Sequence, residues 1–135
     1  MTTSVIRKVS FNSAHRLHNP KWDDKKNKEV FGLCNNPNYH GHNYELHLKV
    51  TGPIEEGTGF VIDLKVLNDI LQSEIVERFD HRNINLDLPE FKNLNSTAEN
   101  IAKVIYDILK PKFNPNLKIQ VTLYETPRNY VIYPD

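Results

Sequence analysis

Polar and apolar positions mix with a period of two along residues 3–13: Val5, Arg7, Val9 and Phe11 fall on one side, Ile6, Lys8 and Ser10 on the other. That predicts a β-strand. Residues 43–51 alternate more cleanly, with Tyr44, Leu46, Leu48 and Val50 facing one way and Glu45, His47 and Lys49 the other. This is a second strand, half buried. Between the two, residues 14–39 lose the pattern, because Asn19-Pro20, the charged run from Lys21 to Glu29 and Asn36-Pro37 all interrupt regular structure. They read as a long loop, and long loops in compact domains tend to be functional.

Gly52-Pro53 and Gly57-Thr58-Gly59 break the chain before the period changes. Leu64, Leu67, Ile70, Leu71, Ile75 and Val76 then recur at three- and four-residue steps, the stripe of an amphipathic helix with Asp63 as its N-cap. A loop through residues 80–95 leads to a second helix, predicted to start at Ser96 with Glu99 completing a capping box. Ile101, Val104, Ile105, Ile108 and Leu109 form its apolar stripe, and Pro111 stops it. Leu117, Ile119, Val121 and Leu123 alternate in a third strand, Thr126-Pro127-Arg128-Asn129 turns, and Tyr130 to Tyr133 make a fourth. No repeat or low-complexity tract divides the chain, so residues 1–135 read as one domain. Strands grouped at both ends around two helices predict an α+β layer pair, an antiparallel sheet with helices on one face.

Composition narrows the function. Seventeen Lys and Arg balance seventeen Asp and Glu, which leaves no general positive field for nucleic acid or an anionic membrane surface. The N-terminal residues lack the apolar core of a signal peptide, and no apolar run approaches the roughly 20 residues of a spanning helix. A cytoplasmic protein is expected. Cys34 is the single cysteine, so no internal disulfide can form; the six histidines are the other departure from an ordinary composition.

His40 and His42 flank Gly41 as the chain enters the second strand, so both rings can leave one face, and His15 ends the first strand with the parity of Phe11 and Ser13. Pairing of these strands would gather three imidazoles, the ligand set of a catalytic zinc with a fourth position open. His18 competes as third ligand or is a solvated loop histidine, and His47 reads as exposed. Cys34 lies in a loop six residues before His40, where a nearby dication would favour the thiolate, base or nucleophile, over a buried thiol. Asp80-His81 reads equally as a charged helix C-terminus and as a carboxylate that fixes an imidazole tautomer for a Cys-His-Asp relay. Glu125 carries a carboxylate at the parity of the apolar face, where it must find donors. Ser96 and Glu99 are assigned to capping, leaving Thr97 the freer hydroxyl.

In order and across essentially the whole chain, the segments SFNSAHRLH, FGLCNNPNYHGHNYEL, GFVIDLKVL, FDHRNIN, STAENIA and LYETPRN resemble the 6-pyruvoyl-tetrahydropterin synthase family, which includes the bacterial 6-carboxytetrahydropterin synthases of queuosine biosynthesis. The resemblance implies the T-fold: a four-stranded antiparallel sheet with two helices on one side, three subunits closing a β-barrel, and a homohexamer of two trimers with active sites between subunits. It implies zinc on His15, His40 and His42, Cys34 as catalytic cysteine, Asp80 and His81 as its relay, Glu125 as the pterin anchor and Thr97 in the pterin pocket. The implied substrate is 7,8-dihydroneopterin triphosphate. Five residues separate Cys34 from His40, as in the enzymes that make the pyruvoyl product; the queuosine enzymes commonly have three. The 6-carboxy product, released with acetaldehyde, is the alternative, and a non-catalytic pterin- or zinc-binding module is the alternative of another class. Tyr39 stands where many relatives carry a small residue and bears on pocket width.

Overall fold

The computed structural model describes residues 1–135. Its framework is a sheet of β1 (Thr2–His15), β2 (His40–Pro53), β3 (Arg82–Asn83), β4 (Lys118–Tyr124) and β5 (Tyr130–Tyr133), in the order β3-β1-β2-β4-β5. The four predicted strands form its antiparallel body. The fifth is short: Arg82 and Asn83 add in parallel beside Ser13 and Ala14. Alternation carries the architecture, since Val9, Phe11, Tyr44, Leu46, Leu48, Val50, Ile119, Val121 and Leu123 all turn to one face and are buried there.

The helices cover that face. α2 (Leu64–Leu71) starts at Asp63, whose carboxylate caps the Lys65 N–H at 2.8 Å. The helix runs through one π turn, Gln72–Val76, into α3 (Glu77–Phe79). Leu67, Leu71, Ile75 and Phe79 are all fully buried. Four-residue steps drift around an α-helix by about 40° each, and one wider turn takes back part of that drift, keeping the row on the sheet. Leu64, predicted on the stripe, is exposed instead.

α5 (Ala98–Leu109) buries Ile101, Ala102, Val104, Ile105 and Leu109. Its start corrects the sequence reading by one residue. Thr97, not Ser96, is the cap, its hydroxyl accepting from the Asn100 N–H at 3.2 Å. Ser96 is buried, and its hydroxyl donates to the Arg16 carbonyl and to Asn85 Oδ1, both at 3.1 Å. The capping box with Glu99 therefore does not form, because tertiary acceptors claim the serine.

The segment 14–39 is more ordered than a loop. It holds α1 (Asp24–Phe31), capped by Asp23, and a 3₁₀ turn over Gly32–Asn35. α1 has only Asn27 buried, so it has no apolar stripe to announce it. The loop after β3 likewise contains α4 (Ile84–Asp87) and a 3₁₀ turn at Pro89–Phe91. No helix is long and apolar enough to cross a membrane.

Candidate active site

The register of β1 and β2 assembles the histidines. His15 lies directly opposite His40, and Ser13 opposite His42, so strand parity sends all three imidazoles to the helix-covered face. Their ring centroids are 4.6, 5.1 and 5.0 Å apart, and one ring nitrogen from each falls within 4.8 Å of the others. His15 is 1% exposed. Its Nδ1–H donates to the Ser96 carbonyl at 2.8 Å, which fixes the tautomer and turns the Nε2 lone pair toward its neighbours. The buried Tyr44 hydroxyl reaches that nitrogen only at 3.5 Å.

Burial disfavours the charged form of His15 and His40. Burial, and secondarily the neighbouring His40 and His42, pull the His15 pKa down to about 4 against the opposing hydrogen bond to Ser96. His40 is lowered as well, by burial and then by His42. His40 Nδ1 and His42 Nε2 are buried without any hydrogen-bond partner. Desolvated imidazoles with unshared lone pairs, one held by an outer carbonyl, fit a metal ion, which would satisfy nitrogens that nothing else does. His18 is outside the group: its Nδ1 faces Asn35 Nδ2 at 3.0 Å and Arg16 Nη2 at 3.3 Å.

Glu125 follows β4 and brings a carboxylate to the same place. Oε2 is 3.8 Å from His15 Nε2 and Oε1 is 3.9 Å from His42 Nε2, too far for hydrogen bonds. Burial raises its pKa, with His42 opposing and Glu99 adding. The side chain is 26% exposed, so one side remains open to a ligand.

Cys34 is a free, half-buried thiol in the 3₁₀ turn. The turn is stitched to the residues just after His15. Cys34 O accepts from the Leu17 N–H at 2.8 Å, the buried Asn35 amide donates to Leu17 O at 2.7 Å, and Arg16 Nη2 donates to Asn35 O at 3.0 Å. Asn85 pins the other side, bonding both the N–H and the carbonyl of Arg16. Ser96, Asn35 and Asn85 thus support the site through backbone contacts; each lies in one of the family segments, but sequence reasoning gave none of them this role.

Asp80 and His81 follow α3 as a bonded pair, with Nδ1 and Oδ2 2.7 Å apart. The other Asp80 oxygen accepts from the Asn12 N–H at 2.7 Å, and the His81 N–H donates to Asn12 O. His81 has φ 60°, and its side chain is 84% exposed. The Asn12 N–H first, and the His81 ring second, hold the Asp80 carboxyl below its ordinary range. With Nδ1 given to the carboxylate, Nε2 is the nitrogen free to exchange a proton. Thr97 is engaged as a cap beside Ser96, so it is less free than expected. His47 is half buried, not exposed, its ring tilted against Tyr124 at 4.9 Å between centroids, with Nε2 3.1 Å from Glu45.

The model of the 6-pyruvoyl tetrahydropterin synthase family matches residues 4–135. A 6-pyruvoyl tetrahydrobiopterin synthase of Drosophila melanogaster is 41% identical over 130 residues, covering 96% of this chain and 77% of its own. The solved Caenorhabditis elegans 6-pyruvoyl tetrahydropterin synthase superposes with a TM-score of 0.92 at 41% identity, over 98% of this chain and 95% of that one. A 6-carboxy-5,6,7,8-tetrahydropterin synthase of Bacillus subtilis is more distant, 29% identical over 78% of this chain and 73% of its own. The four-strand body, the helix-covered histidine group and these likenesses over nearly the full length agree: the chain belongs to the 6-pyruvoyl tetrahydropterin synthase family.

Proposed function

We propose that this protein is a zinc-dependent lyase that converts 7,8-dihydroneopterin triphosphate to 6-pyruvoyl-tetrahydropterin with loss of triphosphate. The observation that carries the reading is the group of one buried and two half-buried histidines beside Glu125. Zinc held by His15, His40 and His42 would supply Lewis acidity to the side-chain hydroxyls of the substrate. Glu125 pairs with N–H groups of the pterin and fixes which side-chain carbon lies near the histidines. Thr97 lines the pterin pocket through its backbone and side chain. Cys34, as thiolate, takes a proton from the side-chain carbon, and His81, oriented by Asp80, exchanges protons at the opposite end. The electrons lost by the side chain reduce the ring, so no external oxidant or reductant takes part.

His81 carries its free nitrogen outward on an 84% exposed side chain. This supports a site completed between subunits, in a homohexamer of two trimers. The greater likeness to pyruvoyl-forming relatives, about 41% against 29%, supports the pyruvoyl product.

The test is elemental analysis with product analysis. Wild type is expected to hold one zinc per chain and release triphosphate with a pyruvoyl product. His40→Ala should lose the metal, whereas Cys34→Ala should keep zinc and release no triphosphate. Acetaldehyde among the products would assign the 6-carboxy reaction instead, and full turnover by Cys34→Ala would remove it as the base.

A further inference from the structure

One cavity of about 700 Å³ is lined by residues adjoining the histidines in sequence, and its lining is unlike the rest of this neutral chain. Of twelve lining residues, Arg16, Lys21 and Lys92 are cationic and none is acidic. None of the three forms an ion pair with a carboxylate elsewhere, although the other ion pairs of the chain do engage Arg78, Lys103 and Lys112. Three cations around one concavity without counter-charge repel one another, and an anion bound among them removes that cost. Arg16 is held firmly: Asn85 bonds its backbone, and its Nη2 donates to Asn35 O. Its Nε is nevertheless buried with no partner, a donor left for something the chain does not supply.

His18 adds a further donor. Its Nδ1 faces Asn35 Nδ2 and Arg16 Nη2, both donors, so Nδ1 accepts and the ring proton sits on Nε2. Position gives the cavity its meaning. Arg16 directly follows His15, and Tyr39, another lining residue, directly precedes His40. An extended ligand whose reacting carbons lie at the histidines would thus pass its far end into this concavity.

We infer that this cavity is a polyphosphate subsite, in which Arg16, Lys21, Lys92 and the His18 Nε2–H receive the triphosphate arm of the substrate and hold it as it leaves. The assignment of the arm rests on the function proposed above; the anion chemistry of the cavity does not. Lys21 and Lys92 are exposed at its rim, so their replacement leaves the fold intact. Arg16 also anchors the turn that bears Cys34 and is left unchanged in the test.

The experiment is calorimetric titration of inorganic triphosphate into the full zinc-loaded chain, comparing wild type, the Lys21→Ala/Lys92→Ala double variant and Lys65→Ala, which removes an exposed cation outside the cavity. The cavity predicts one triphosphate per chain, binding about tenfold weaker in the double variant at equal zinc content, and no change in Lys65→Ala. Affinity should fall as ionic strength rises. Equal affinity in wild type and the double variant, or an equal loss in Lys65→Ala, overturns the subsite. Turnover of the pterin with unaltered KM in the double variant would likewise overturn the subsite while leaving the lyase reading intact. Selective triphosphate binding without release of triphosphate from the pterin substrate would keep the subsite and overturn the lyase reading.

Discussion

At the scale of single residues, the tautomers are set by backbone atoms. The Ser96 carbonyl holds the His15 proton on Nδ1, and the Asn12 N–H holds the Asp80 carboxylate that in turn orients His81. Asp80 makes this checkable. Its folded-state pKa is depressed, so its contribution to stability is complete above the unfolded pKa and is lost as the pH falls through the folded value. In a carbon-detected NMR titration, Asp80 should have its midpoint below the ordinary 3.8. His81→Asn should leave it depressed, because the Asn12 N–H is the larger cause; a return to the ordinary value in that variant would refute the ordering.

At the scale of elements, strand parity was the readable part. Glu125, Tyr44 and all three clustered histidines lie on the face that alternation predicted, because a period of two admits only two faces and the buried one is unmistakable. α1 was illegible for the opposite reason: a helix with one buried residue leaves no stripe, and only Asp23 marks its start. The start of α5 departs from the sequence reading because Ser96, the better cap with Glu99 three residues on, is drawn into other bonds. The choice between them is tertiary, made by the Arg16 carbonyl and Asn85. It follows that Thr97→Ala costs about 1 kcal/mol through the lost cap. Ser96→Ala costs a comparable amount by another route, loss of the buried bonds to Arg16 and Asn85. Urea melts with hydrogen exchange separate the two. Thr97→Ala should raise exchange at the Asn100 amide, and faster exchange there in Ser96→Ala alone would return the cap to Ser96.

At the scale of the whole molecule, a chain of zero net charge concentrates its charge locally, with Arg16, Lys21 and Lys92 around one cavity and the Glu125 carboxylate against the histidines, the arrangement proposed above to hold a polyanion. The gathering of the three histidines with Glu125 was legible in the sequence; the cation-lined cavity was not, since Lys92 lies 71 residues from Lys21 in sequence and only the fold joins them. The proposal that sites are completed between subunits carries a direct consequence. Inactive Cys34→Ala and inactive His81→Ala chains, co-expressed, should recover activity in mixed oligomers, because some sites then receive an intact residue from each. Mixed oligomers that stay inactive would mean that Cys34 and His81 act within one chain.

The proposed metal site of His15, His40 and His42 makes substrate turnover the decisive readout. It is tested most directly by incubating zinc-replete protein with 7,8-dihydroneopterin triphosphate and quantifying inorganic triphosphate and pterin product together. One triphosphate should be released for each 6-pyruvoyl-tetrahydropterin formed, with release abolished by chelation and restored by zinc. Zinc-loaded protein that binds the pterin yet releases no triphosphate at any pH would contradict the lyase reading.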